Sequence, residues 1–334
     1  MTSTCLDKPA GESKGALRSW GLALKLLISL GLLFLVGRSV DLQAVGGLLL
    51  SLPFWAGLGA VASLLGIALV SALRWSLVMK AIGSPLPLGR ATSLMLIGSF
   101  FTQVLPTSIG GDAVRIWQLT RQGFAFDRAF IGVMLERMTG LIALVIMVAA
   151  GVFWLGELLD QPALRLLLLA ALPVLAAGLL VLCLLDRVPG GFVDRLRPLR
   201  MVGATLDLLG AMAADTRRVL LAQPLSLYLL LLSAAAQVLS VLALLALAQG
   251  LGTGLGLVEA LAVVPAIILI TFIPVSFAGW GVREGASVIM LGFVGLDSDH
   301  AVAVSVLFGL GLLVAGLPGC LLWLGRAAKP REPD

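Results

Sequence analysis

Six charged residues lie in or beside apolar stretches of this chain: Asp112, Arg115, Glu136, Arg137, Arg283 and Glu284. An unpaired charge at the centre of a bilayer costs at least ~2.5–3.5 kcal/mol on insertion scales, so such residues persist where they pair or bind something. Three of the six belong to a motif written twice. Pro106-Thr-Ser-Ile-Gly-Gly111-Asp112-Ala-Val114-Arg115 and Pro274-Val-Ser-Phe-Ala-Gly279-Trp-Gly-Val282-Arg283 share the pattern P-x-S-x-x-G-x-x-V-R, and Glu284 follows the second copy. Asp112 and Arg115 are three apart and share one helical face. Gly110-Gly111 can take the sharp turn at a hairpin tip, with Asp112 near the N-cap of the returning helix. In the second copy Gly279-Trp280-Gly281 forms the turn, and Arg283-Glu284 falls in the first turn of the helix that follows. Both returning helices would aim free N–H groups and a positive dipole end inward, with an arginine beside each. That is chemistry for an anion, and a phosphate is the natural ligand. Ser108 and Ser276 add hydroxyl donors.

The same groups allow a second arrangement, in which Asp112 pairs with Arg283 and Glu284 with Arg115, locking the two hairpins together. Glu136-Arg137 lies about one turn into the next span, or near enough to its end for Arg137 to snorkel to headgroups. Gln103, Gln237, Thr139 and Glu259 read as interhelical hydrogen-bond formers rather than ligands.

The elements that must position these residues are membrane helices. The chain is 60% hydrophobic and 12% charged over 334 residues, beyond what a soluble domain uses. Apolar runs near the ~20 residues needed to cross ~30 Å of hydrocarbon lie at about 20–37, 54–79, 129–155, 164–185, 224–249 and 301–325. The first follows a basic leader and reads as an uncleaved signal anchor. Two further apolar segments, 91–121 and 257–296, are broken near their middles by the repeated motif. The polar segment 186–223 carries Arg187, Arg195, Arg197, Arg200, Arg217 and Arg218 and suits one or two amphipathic helices on the cytoplasmic surface.

Charge bias sets an orientation. With the N-terminus inside, the cytoplasmic loops hold Arg74, Lys80, Arg90, Arg121, Arg128, the arginine cluster, Arg326, Lys329 and Arg331. The outer loops hold Arg38 and Arg165 with Asp41, Glu157, Asp160, Asp297 and Asp299. The asymmetry predicts a multi-pass protein of the cell (inner) membrane with both termini cytoplasmic. It places the entry of segment 91–121 on the cytoplasmic side and that of 257–296 outside. Complete crossing by both, ten spans in all, also leaves both termini inside. The expected organisation is an all-α polytopic fold of about eight hydrophobic segments. It has a leader (1–19), a first membrane repeat (20–156), a second (164–325) and a tail (326–334). The repeats would be inverted, each with a broken or re-entrant hairpin, an arrangement typical of transporters.

Other chemistries find little support. His300 is the one histidine, and Cys5, Cys183 and Cys320 are scattered. That excludes a His/Cys metal site, a disulfide framework and a histidine-activated nucleophile. No G-x-x-x-x-G-K-[ST] loop occurs, and the glycine run at 250–256 follows no strand, so no cofactor is expected. The net charge of +5 resides in loops and points to membrane orientation rather than nucleic acid. Trp20, Trp55, Trp75, Trp154 and Trp323 fall near span ends, as an interfacial belt would.

Pro106…Gly110-Gly111-Asp112-x-x-Arg115, Glu136-Arg137 at the start of a span, and Pro274…Gly279-x-Gly281-x-Arg283-Glu284-Gly285 together resemble the flippase-like transmembrane domain of lysylphosphatidylglycerol synthases. The resemblance covers about 18–327. It implies movement of a lipid between leaflets, with Asp112, Arg115, Glu136, Arg137, Arg283 and Glu284 functional by motif position. In the full-length synthases a separate soluble domain performs aminoacyl transfer. This chain ends at Asp334, so translocation or lipid handling is expected here rather than that transfer. Membrane lipids with phosphate-containing headgroups are the expected partners, with lipid-synthesis enzymes as further ones. An intramembrane lipid-modifying transferase and a non-catalytic subunit of a lipid-synthesis complex are the alternatives.

Overall fold

A computed structural model describes residues 41–105, 109–154, 200–220, 224–272, 276 and 278–327, with isolated helical residues at 30–31, 34–35 and between 166 and 180. Most residues of the runs predicted at 20–37 and 164–185 fall outside the described residues. So do Pro106, Ser108, Pro274 and the polar segment before Arg200. Among the described residues every regular element is a helix.

In chain order these are α1 (Leu42–Ser51), α2 (Phe54–Ala81), α3 (Leu88–Val104), α4 (Gly110–Arg121), α5 (Phe126–Trp154), α6 (Arg200–Leu220), α7 (Leu225–Gly250), α8 (Leu257–Thr271), α9 (Val282–Gly292) and α10 (Ser298–Ala327). Helices α2, α5, α7 and α10 are long and apolar enough to cross a membrane, at the four predicted places. The broken segments are the pairs α3–α4 and α8–α9. At ~1.5 Å per residue the longest of these arms, α3, reaches only about 26 Å. α1 occupies a stretch expected to be an outer loop; Asp41 starts it by accepting from the N–H groups of Gln43 and Ala44. α6 confirms a helix in the polar segment, its buried face formed by Met212, Ala213, Thr216 and Val219.

Contacts at the helix ends give the arrangement. Arg128 of α5 donates to the carbonyl of Ile82, just past α2, and to Asp215 of α6 at 2.9 Å. Gly250, ending α7, lies against Pro53 and Ala56 at the start of α2, so α2 and α7 run antiparallel. At that second end the Asp41 N–H donates to Asp299 at 3.0 Å. Short connections then place the mouth of α3–α4 at the Arg128 end and the mouth of α8–α9 at the Asp299 end. The packing is reciprocal: α3 lies along α10, α8 lies along α5, and α2 lies along α7. Asp297 caps α10 by accepting from the N–H groups of Asp299 and His300. The backbone bond from His300 holds its carboxyl below the ordinary aspartate value.

A first prediction follows from that cap. Asp297→Ala should lower thermal stability in detergent by about 1 kcal/mol, the usual worth of an N-cap. Because the folded carboxyl is the stronger acid, its stabilisation is complete above the unfolded pKa of about 3.9 and fades as pH falls through the folded value. The gap between variant and parent should therefore hold at neutral pH and narrow only in acid.

Candidate functional site

Helix α4 brings the first motif to the interior. Gly110 and Gly111, expected to form the turn, are instead its first two helical residues. Their smallness serves close packing: a Cβ on Gly111 would sit 2.2 Å from the carbonyl oxygen of Gly98 and 2.1 Å from Thr102 Oγ1 on α3. That approach seats Asp112 and Arg115 below the surface, 5% and 2% exposed.

Around them a five-membered ionic chain forms. Arg115 Nη1 donates to Asp112 at 3.1 Å and to Glu136 at 3.3 Å. Arg137 clamps Asp112 with two nitrogens, Nε at 2.8 Å and Nη2 at 3.0 Å. The fifth member is Arg74, which pairs with Glu136 and donates to Ser233 Oγ on α7 at 2.8 Å. Charge bias puts Arg74 in a cytoplasmic loop; the structure buries it in α2, because Glu136 and Ser233 meet it there. Trp75 is likewise not interfacial. It is fully buried, with the Arg115 guanidinium 4.0 Å above its ring. Trp55 and Trp154, by contrast, are exposed near helix ends.

The second motif builds a smaller cluster. Ala278 (φ 49°), Gly279 (φ 83°) and Gly281 (φ 86°) take the left-handed conformations of the turn. Glu284 then reaches back to accept from the Gly281 N–H at 2.6 Å, satisfying the start of α9. Arg283 donates to Glu284 at 2.9 Å and to Ser305 Oγ on α10 at 3.3 Å. Its guanidinium lies 4.6 Å from the Trp280 ring centre. The cross-pairing of Asp112 with Arg283 and Glu284 with Arg115 does not occur; each carboxylate has a nearer arginine in its own half. Thr139 spends its hydroxyl on the Glu136 carbonyl. Glu259 folds back toward Gly256 at the start of its own helix.

Two adjoining cavities connect these groups. The larger, about 710 Å³, is lined at one place by Asp112 and Arg137, at another by Arg283, Ser287 and Ser305, and between them by apolar residues such as Leu64, Phe130, Leu244 and Ile267. The smaller, about 250 Å³, is lined by Arg74, Arg115, Glu136, Gln103 and Gln237 among others. Arg137 borders both. Arg115 faces the smaller cavity and Arg283 the larger. Sequence reasoning did not bring Arg74 into this cluster, and it gave no sign that Gln103 and Gln237 line the smaller cavity.

A family model described as the lysylphosphatidylglycerol synthase TM region matches residues 22–319. The chain belongs to that family. Comparison with curated proteins gives no match. Membership and the four apolar helices make this lysylphosphatidylglycerol synthase TM-region protein a multi-pass membrane protein with a lipid-related role.

Proposed function

We propose that this protein moves a lipid with an anionic headgroup between the leaflets of the cell membrane. The observation that carries the reading is the larger cavity. It is walled by both hairpin regions, polar where Asp112, Arg137, Arg283, Ser287 and Ser305 face it and apolar between. Its volume falls within the range of specific ligand sites, and its lining suits a headgroup with acyl chain beside it. The reciprocal helix contacts and the opposite mouths of the two hairpins support an inverted repeat, with lipid access alternating about its axis. With the basic end cytoplasmic, as charge bias directs, α3–α4 opens inward and α8–α9 outward.

The test is reconstitution in vesicles with acyl-labelled phospholipids and a quencher confined to the outer solution. Labelled anionic lipid should change leaflets faster than in empty vesicles. Arg137→Ala and Arg283→Ala should each slow it about tenfold or more, the worth of a charge-assisted hydrogen bond. Exchange no faster than in empty vesicles for every lipid tried would overturn the proposal.

A further inference from the structure

The smaller cavity gathers positive charge in a buried place. Its wall carries Arg74, Arg115 and Arg137 with a single carboxylate, Glu136. Asp112, held by Arg115 and Arg137, brings the cluster to three guanidiniums and two carboxylates, one positive charge in excess. The Arg137 side chain is 38% exposed and clamps Asp112, so the excess falls on Arg74 and Arg115, which share Glu136 between them. Arg283 with Glu284 balances to zero, so the second motif supplies no counter-charge. The Trp75 ring, 4.0 Å from the Arg115 guanidinium, carries no full charge and cannot balance the excess. A buried charge left without its counter-charge is strongly destabilising.

The open hydrogen bonds are of the matching kind. Among the described residues Arg74 Nε, Arg115 Nε and Arg115 Nη2 are buried donors without partners, on side chains more than nine-tenths buried. Ser71 and Ser99 add hydroxyls to the same wall. Gln103 Oε1 and Gln237 Oε1, also on it, are buried acceptors without partners. A water beside an anion can donate one hydrogen to the ion and the other to a glutamine oxygen, and about 250 Å³ has room for both. One negative charge closes the balance. A dianion would overshoot it beside Glu136, and any cation would add to the excess.

We propose that the smaller cavity is a binding site for one small inorganic monoanion of the halide class, held by Arg74 and Arg115, with Gln103 and Gln237 holding its water. The ion completes the ionic cluster that joins α2, α4 and α5, and it stands apart from whatever the larger cavity carries.

The test melts the purified protein in detergent while sodium gluconate is exchanged for sodium chloride or bromide at constant ionic strength. The melting temperature should rise saturably, by about 2–4 °C at a tenfold excess over half-saturation, as linkage to one site gives. Equilibrium dialysis with radiolabelled chloride should find one bound ion per chain. Gln237→Glu keeps the shape of the side chain and adds a fixed carboxylate to the wall. It should melt in gluconate at least as high as the parent does there, lose the halide response and bind chloride at least about tenfold more weakly, the worth of a charge-assisted hydrogen bond. Gln103→Glu repeats the test from α3. Gln237→Leu, which adds no charge, should keep the response; a merely structural glutamine would lower melting in both salts whichever residue replaced it. Equal melting in gluconate and halide, or no bound chloride, would overturn the site, the cavity then holding water alone. A full halide response in both glutamate variants would put the ion elsewhere and overturn it too. Dimethyl phosphate that protects at concentrations far below chloride would make this a phosphodiester site and overturn the halide assignment. Leaflet exchange enters none of these measurements, so the anion site and the transport reading can fail separately.

Discussion

Glu136→Leu is expected to cost about 3–5 kcal/mol of stability, the range for breaking a buried ion pair by removing one partner. Glu136 is 3% exposed and stands between two arginines from different helices, Arg74 of α2 and Arg115 of α4. Without it Arg115 keeps Asp112, but Arg74, 6% exposed, keeps only the Ser233 hydroxyl among the side chains. The penalty comes from that stranded guanidinium, more than from the lost attraction. It follows that adding Arg74→Leu should restore much of the loss, since apolar replacement of a whole buried pair is often near neutral. Melting of the purified protein in detergent, followed by its retained monodisperse fraction, reads both variants. A single variant as stable as the parent, or a double variant no better than the single, would show that this pair does not hold α2, α4 and α5 together. Lipid transport should stay impaired in the double variant: stability and the cluster's single excess positive charge return there, but Arg74 is gone from the cavity wall and Arg115 lacks one of its two carboxylates.

The same residues show what sequence could and could not disclose. The long helices were legible because only unbroken apolar stretches can satisfy the backbone inside a bilayer. The hairpins were legible because proline, glycine and arginine recur at matching points in two such stretches. Arg74 was not legible as a site residue. It stands six positions before Lys80 near the end of its helix, where a cation normally marks the water boundary, and only Glu136 and Ser233 from other helices make its burial tolerable. Gly110-Gly111 misled in another way. Glycine pairs serve both turns and close helix contacts, and the contact of Gly111 with Gly98 decides the matter only in three dimensions. Cross-pairing between hairpins lost to proximity: Arg115 lies one turn from Asp112, and Arg283 directly precedes Glu284. α1 escaped notice because its ten residues are too few for a span, and its capping Asp41 resembled a loop charge.

Close approach of helices, rather than charge, governs the second large effect. Gly319→Ala should destabilise by about 3 kcal/mol or more, at or above the upper end for overpacking, because the intruded atoms are backbone and have no rotamer to escape into. A Cβ there would lie 2.0 Å from the Leu96 carbonyl oxygen and 2.4 Å from its carbon, so α10 and α3 must separate. Gly151 on α5 is the reciprocal position, where a Cβ would meet the Ala262 carbonyl oxygen of α8 at 2.5 Å and its Cα at 2.9 Å. Gly151→Ala should therefore destabilise too, by a somewhat smaller amount. At Gly210, in the middle of α6, an added Cβ would meet nothing within 4 Å. The same substitution there should stabilise by about 0.5–1 kcal/mol, the gain of alanine over glycine inside a helix. The three variants thus share one added methyl group and differ in the sign of its effect. Gly319→Ala also carries a functional consequence. Gly98 and Thr102 of α3 also pack against Gly111 of α4, so displacing α3 disturbs the seat of Asp112 and Arg115 and should slow lipid exchange at temperatures where the protein is still folded. Thermal melting alongside the leaflet-exchange rate in vesicles separates the two effects. A Gly319→Ala protein that melts like its parent would mean that α3 and α10 do not pack at this distance.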